Sequence, residues 1–460
     1  MPANGRRILA IRGTKHAIAG KLWHRHIRLR FRPVSTSPAA GAQRWPHAVR
    51  ALRHRNYRLY FAGHLVSILG NWIQQVALAW LVYRLTGSAA LLGLTSFVAL
   101  APQLLIGPLV GAWIDRHDKR RLLLATQALL GVQAALLAAL TALEWVTPTL
   151  LVAMATLLGV LGAFDTPLRQ SLMSSFIGDR ADLPNALALN AMLVNSSRFV
   201  GPPLAGLLLG LTGEAFCFAL NALSFLALLI GLLRMRIEAP PPARGSMGAV
   251  FRQGLDYVLG QATLRQLMLG VMVVNFAASC YAVLLPVFAK DVFAGDAATL
   301  GWLWGAAGGG ALLASLFLAS RRSTAGQVQL ILAASALSAF ALLLFAASTR
   351  LPLALAAMAA LGFGLTCANV GTNILIQGLA PDALRGRVVS FYIACRFGFE
   401  ALGGLCAGLL ATRLGAPATL VGAGVLLLGW CLWLLPRHAA LGRAVVQAQA
   451  AAEDERDAAP

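Results

Sequence analysis

A chain of 460 residues that is 58% hydrophobic and only 12% charged departs from ordinary soluble domains, where roughly a quarter of residues carry charge, and is expected in a membrane. Its net charge of +21 would attract nucleic acid non-specifically, but the basic residues flank apolar segments instead of gathering on a soluble module, so no nucleic-acid partner is expected. The six cysteines, Cys217, Cys280, Cys367, Cys395, Cys406 and Cys431, lie inside apolar segments without a C-x-x-C pair, which excludes a metal site or disulfide framework of the usual spacing.

In chain order, residues 1–58 form a basic arm with fourteen Lys and Arg, no acid and five of the eight histidines. It shows no apolar core with a small-residue cleavage site, so a secretory signal peptide is not expected. Its composition fits a cytoplasmic arm against anionic lipid, an organelle transit peptide, or a start placed too far upstream. Windows of about 20 apolar residues follow, each long enough to cross a hydrocarbon core about 30 Å thick as a helix. Helices are required because every backbone polar group must be satisfied within lipid. Twelve spans are expected, in the segments 59–83, 91–113, 122–143, 150–177, 185–210, 215–233, 265–289, 299–319, 327–348, 353–378, 388–411 and 418–435. The longest interruption, 234–264, joins the proline-rich APPPA to Val250, Phe251, Leu255, Val258 and Leu259 at helical spacing, the pattern of an amphipathic helix on the membrane surface.

The expected fold is therefore an all-α membrane protein of twelve transmembrane helices in two six-helix halves, 59–233 and 265–435, with the linker 234–264 between them and a tail over 436–460. An even number of spans puts both termini on one side. The basic residues of the arm, of IDRHDKRR, of the central linker, of SRRSTAG and of APDALRGR share that side, while the opposite loops hold Arg84, Lys290, Arg350 and Arg413. The positive-inside rule then puts both termini in the cytoplasm.

The halves repeat. At an offset of 202 residues RFVGPPLAGLLLG from Arg198 lies on EALGGLCAGLLAT from Glu400, matching Gly201 to Gly403 and Gly206 to Gly408, and repeated halves with a midplane site are a common transporter design. GPLVGAWIDRHDKRR, residues 107–121, closely resembles the loop between helices two and three of the major facilitator superfamily. The resemblance implies close helix approach at Gly107 and Gly111, a gating role for Asp115 opposite an arginine of the other half, and a cytoplasmic cluster of Arg116, Lys119 and Arg120. GNWIQQVALAWLVYRLTGS, FDTPLRQ, LPNALALNAMLVNSSRFVGPPLAG and PDALRGRV are similar to the exporter branch that includes enterobactin and macrolide efflux proteins. Within them GPPLAG resembles the antiporter pattern of helix five, carried here by Gly201, Pro202 and Gly206, with Ala205 where the family pattern has a glycine.

Five charges fall inside the expected spans: Asp165, Arg169, Arg198, Arg396 and Glu400. Each costs at least about 2.5 kcal/mol at a helix centre on insertion scales, so such groups usually face a cavity and have partners. Asp165 with Arg169, and Arg396 with Glu400, are spaced i, i+4 on one helical face. Two readings follow: each pair neutralises itself, or the five form a central cluster in which Asp165 and Glu400 exchange protons while an arginine tunes them or meets an anionic part of the substrate. Asn71, Gln74, Gln75, Asn275, Asn369 and Asn373 are uncharged candidates for a cavity lining, and the resemblance implies that Gln75, Asn275 and Asn369 contact substrate. Trp72, Trp80, Trp302 and Trp304 suit either aromatic stacking or interfacial anchoring.

No Walker loop, metal-binding histidine cluster or nucleophile elbow is present, so neither an enzyme, an ATP-driven pump nor a cofactor is expected. The reading is a monomeric secondary transporter of the bacterial inner membrane, surrounded by lipid, that exports a small amphipathic molecule, siderophore or drug-like, against protons. The alternatives are an importer or lipid carrier on the same fold, and a transport-inactive membrane sensor.

Overall fold

Local chemistry starts and stops the helices. In the computed structural model, which describes residues 47–235 and 255–457 apart from 108, 109, 111, 112, 115, 322, 324, 325, 382 and 383, a 3-10 turn over His47–Arg53 leads into α1 (Arg55–Thr86). Gly87 ends α1 with a φ of +59°, a left-handed stop that glycine adopts without strain. Ser88 caps α2 (Ala89–Leu105) by accepting the Leu91 N–H, Asp118 caps α3 (Lys119–Ala142) through Arg120 and Arg121, and Thr147 caps α4 (Pro148–Leu172) through Leu150. Then come α5 (Leu183–Thr212), α6 (Glu214–Leu233) and α7 (Ala262–Val287), the last continued by a π turn over Phe288–Val292. Asp296 and Thr299 form a capping box on α8 (Ala297–Ser320). The rest are α9 (Gln327–Ala347), α10 (Leu351–Leu379), α11 (Arg385–Leu414), α12 (Ala416–Leu434) and α13 (His438–Asp457).

Among the described residues ten helices are long and apolar enough to cross a membrane. α2 is shorter, at 17 residues, with helical residues resuming at Gly107, Val110, Trp113 and Ile114. α5 has the length, but Asn190, Asn195, Ser196, Ser197 and Arg198 dilute its apolar character. Most of the surface helix expected in the linker lies outside the described residues; Leu255 to Gly260 are helical, with Val258 buried. The segment 436–460, read as a tail, is helical over His438–Asp457, and Leu441 and Val445, one turn apart, bury themselves against the second half.

Short connections make successive helices antiparallel. The end carrying the α1–α2, α3–α4, α5–α6, α7–α8, α9–α10 and α11–α12 connections is called distal here, and the opposite end proximal. In the first half α1 and α3 pack on α6, and α2 on α4; in the second α8 and α9 pack on α10, and α7 on α11. Two crossings join the halves, α2 on α11 and α5 on α8. Each is made by a glycine pair. A side chain at Gly408 would stand 2.5 Å from the Ala89 carbonyl and 2.8 Å from the Gly93 Cα; one at Gly206 would stand 2.6 Å from the Ala297 carbonyl and 2.9 Å from the Gly301 Cα. Gly206 and Gly408 are the positions that the 202-residue offset matches.

The cores follow this division. One apolar cluster runs through the distal part of both halves, from Ile73, Leu137 and Phe218 to Leu284, Phe345 and Leu420. At the proximal end there are two: Tyr57, Tyr60, Ile114, Phe176 and Leu228 in the first half, and Leu264, Ile376, Tyr392 and Leu434 in the second. The halves share a core at one end and part at the other.

Candidate functional site

Within the first half a charged network closes on itself. The Arg169 Nε donates to both Asp165 oxygens at 2.8 Å, its Nη2 to the Gln127 Oε1 at 3.2 Å, and its Nη1 to the His64 Nδ1. The Gln127 amide nitrogen returns a hydrogen bond to Asp165. Arg169, Gln127 and His64 are buried, and Asp165 is half-buried. The Tyr60 ring stacks on His64, with centroids 5.2 Å apart. Since a guanidinium only donates, the His64 Nδ1 must be its acceptor, which fixes a neutral imidazole with the proton on Nε2. Three side chains accept from Arg169, and of these Asp165 brings the compensating charge. Asp165 and Arg169 were legible from their spacing; His64 and Gln127 were not singled out, although a lone histidine in FAGHLVSILG and a glutamine in an apolar run were the available signals.

A second cluster lies between the halves and is not closed. Arg198 on α5, Arg396 and Glu400 on α11 and Tyr281 on α7 sit within electrostatic reach of one another. Arg396 and Glu400 share a helical face but form no salt bridge, which corrects the expectation of a self-neutralising pair. No described residue gives Arg198, Arg396 or Glu400 a hydrogen bond, and the Arg396 Nε is buried without a partner. Its guanidinium lies over the Phe397 ring, 5.2 Å from the centroid. Trp304 on α8 meets Tyr281 at 6.4 Å and Trp72 on α1 edge-on at 5.8 Å, and its indole N–H is also buried without an acceptor. Trp72 thus packs across the seam, as Trp304 does, whereas Trp302 is exposed.

The uncharged candidates divide. Gln74 is buried in a ladder, accepting from Asn221 at 2.7 Å and donating to Gln133 at 3.1 Å, while Asn71 accepts from Asn221 at 3.4 Å. These bonds hold α1 to α3 and α6, so Asn71 and Gln74 face the interior of their own half and not a lining. Gln75, one turn beyond Asn71 on the same helix, is exposed. Asn275 donates to Asn369 at 2.8 Å, and Asn373 accepts from Gln377 at 3.2 Å. Asn369 also lines a small pocket within the second half, with Thr372, Ser335 and Trp430. In the helix-five motif, a side chain at Gly201 would meet the Trp72 Cβ at 2.7 Å, and one at Gly301 would stand 2.7 Å from the Pro202 carbonyl at the crossing.

In the loop between α2 and α3, Asp115 and Gly111 lie outside the described residues. Gly107 has open space where a side chain would begin, which corrects the expectation of close helix approach there. Arg120 donates to the Met235 carbonyl at 2.9 Å and so caps the end of α6; Arg116 is exposed, and Lys119 opens α3. Nearby, Asp182 accepts from Arg50 at 2.9 Å, Arg53 at 2.8 Å and the His54 Nε2 at 2.9 Å. The His54 hydrogen bond above all, working against burial, and then Arg53 and Arg50, hold the Asp182 carboxyl below the usual carboxylate range. At the distal end the Tyr83 hydroxyl donates to Asp291 across the seam, and the Lys290 ammonium stands 5.6 Å from the Tyr83 ring centroid.

The profile of a family described as transmembrane secretion effector matches residues 47–451. The chain is similar to the staphyloferrin A transporter of Staphylococcus aureus, 27% identical over 364 residues that cover 79% of this chain and 91% of that protein. It is also similar to the multidrug efflux pump Tap of Mycolicibacterium fortuitum, 28% identical over 392 residues that cover 81% and 94%. A stretch of 161 residues, 34% of the chain, is 26% identical to 39% of macrolide efflux protein A of Streptococcus pyogenes. In fold it is similar to a bacterial homologue of the human lysosomal transporter Spinster, inward-facing and unoccupied, with a TM-score of 0.63 at 13% identity over 87% of this chain and 98% of that one. A variant of the nucleoside transporter NupG gives 0.60 at 14% identity over 85% and 99%. These relatives are transporters and not enzymes, and the match spans both helical halves: the chain belongs to the transmembrane secretion effector family, a branch of the major facilitator superfamily.

Proposed function

We propose that the protein is a secondary transporter with twelve spans and cytoplasmic termini in the bacterial inner membrane, exporting a small amphipathic molecule, siderophore or drug-like, in exchange for protons. The observation that carries this reading is the seam: halves that share a distal core, part proximally, and bear charged side chains at the level where they part. The basic residues at the proximal end, among them Arg58, Arg121, Arg234, Arg265 and Arg437, support a cytoplasmic proximal face. The arrangement then corresponds to an inward-facing stage of a cycle in which the halves rock about a central site.

The two clusters divide the work in this reading. Asp165 carries the proton: when it is neutralised, Arg169 keeps Gln127 and His64 as acceptors but loses its countercharge, so proton uptake changes the bonding and the charge balance of the first half. Arg198, Arg396 and Glu400 meet the substrate. The drug-efflux relatives and the antiporter-like Gly201, Pro202 and Gly206 support exchange over uptake.

Everted vesicles from cells expressing the full chain test it. Ethidium accumulation and a staphyloferrin-type siderophore are followed with and without an uncoupler, in the parent and in Asp165→Asn. Uncoupler-sensitive accumulation that Asp165→Asn abolishes is expected. Accumulation indifferent to the uncoupler, or uptake only into right-side-out vesicles, would overturn proton-driven export.

A further inference from the structure

Resting on the transport reading, we infer that the cluster between the halves is a binding site for a carboxylate carried on an aromatic or flat apolar body. The reason is an inventory of donors and charge. Two guanidiniums, Arg198 and Arg396, stand against one carboxylate, Glu400, which leaves one positive charge uncompensated at mid-bundle. The hydrogen-bond count leans the same way. The Arg396 Nε and the Trp304 indole N–H are buried donors without acceptors, and neither guanidinium has a hydrogen bond from any described residue. Buried donors left unmade are costly, so a site of this kind is completed by a ligand that brings acceptors and one negative charge. A carboxylate supplies both, and guanidiniums bind its two oxygens as a matched fork.

The body of the ligand follows from the walls. Trp72, Trp304 and Tyr281 form a continuous aromatic contact from α1 through α8 to α7, beside the charges. They come from both halves, so a ligand seated there bridges the two parts that move. Arg198 is held at this point by the α5–α8 crossing, where its carbonyl packs directly against Gly308. A cationic ligand would meet two like charges here. A neutral one with an acceptor oxygen would satisfy the orphan donors but leave the surplus charge.

The test uses purified full-length protein in lipid nanodiscs and two probes that differ only in charge, dansylglycine and its neutral amide, titrated by dansyl fluorescence after subtraction of empty nanodiscs. The carboxylate is expected to bind at least tenfold tighter than the amide. Arg198→Gln and Arg396→Gln should each bring that ratio towards one, Arg396→Lys should keep part of it, and Trp304→Ala should weaken both probes alike without changing it. Equal binding of the two probes by the parent protein, no carboxylate binding at millimolar concentration, or an unchanged ratio in both glutamine variants would overturn the site. If the glutamine variants fail to fold, the parent ratio and the lysine variant decide. Gradient-driven accumulation of dansylglycine in the vesicles separates the two proposals: a carboxylate preference without gradient-driven transport upholds this site and sinks proton-driven export, whereas gradient-driven transport with equal probe binding does the reverse.

Discussion

At the scale of single residues, the two charged pairs that look alike in sequence behave as opposites. Asp165 and Arg169 close on each other because Gln127 from α3 and His64 from α1 complete the ring of donors and acceptors. Arg396 and Glu400, with the same spacing, form no salt bridge and lie within electrostatic reach of Arg198 and Tyr281 from other helices. Spacing of i, i+4 states only that two side chains share a face; neighbours on other helices decide whether they pair. Asp165→Ala should therefore destabilise the protein by about 3–5 kcal/mol, the range for a buried pair broken on one side, while Asp165→Asn, which keeps an amide oxygen for Arg169 but no charge, should melt between the alanine variant and the parent. Thermal unfolding in detergent followed by tryptophan fluorescence measures both, and equal melting of the alanine variant and the parent would remove the buried bridge from the account. Gln74 teaches the same lesson: a polar residue in a span reads as a lining candidate until Asn221 and Gln133 are seen to satisfy it.

At the scale of helices, the crossings of α2 on α11 and α5 on α8 depend on absent side chains. Gly408→Val would force its methyl groups against the Ala89 carbonyl and the Gly93 backbone, an overpacking cost of about 1–3 kcal/mol. Gly422→Val on α12, where a side chain meets open space, should melt like the parent and serves as the control. The proximal turn before α1 is held by Asp182, whose carboxyl has its pKa lowered by docking. A carboxyl with a lower pKa in the docked state stabilises docking fully above its free value of 3.8, and that contribution is lost as pH falls through the docked value. Hydrogen exchange over residues 47–54, corrected for intrinsic rates, should stay flat from neutral pH down to the ordinary carboxylate range. Asp182→Asn should raise it throughout, and unaltered exchange in that variant would mean that the three bases do not hold the turn. Helix positions were readable from apolar length, while caps such as Ser88, Asp118 and Asp296 set the starts a few residues earlier than the apolar runs; α13 was missed because its apolar face is only Leu441 and Val445, too little to stand out beside whole spans.

At the scale of the molecule, the halves share a distal core and keep separate proximal cores, which under the transport proposal is one of two states. Besides the glycine crossings, Tyr83 and Asp291 tie the distal ends of α1 and α7 across the seam. Tyr83→Phe removes a hydrogen bond to a charged acceptor, a loss of about 1.5–3 kcal/mol. It should shift the equilibrium toward a distally open form by about tenfold or more, since 1.4 kcal/mol is a factor of ten. Nitroxides placed at Leu143 and Leu353, both exposed near distal helix ends in different halves, would report it as a growing long-distance population by pulsed electron resonance. An unchanged distribution would show that the glycine crossings alone hold the distal end.

The membrane environment, the helical class, the repeat and the family were all present in the sequence alone, because they rest on quantities additive along the chain: apolar length, basic asymmetry, caps and spaced glycines. The partners of the five charges within the helices were not, because pairing is a property of three dimensions. His64 is 105 residues from Arg169, and Glu400 lies 202 residues beyond the Arg198 that faces it. Only the packing of α5, α7, α8 and α11 decides that one pair is closed and quiet while the other keeps a surplus charge and two donors waiting for a ligand.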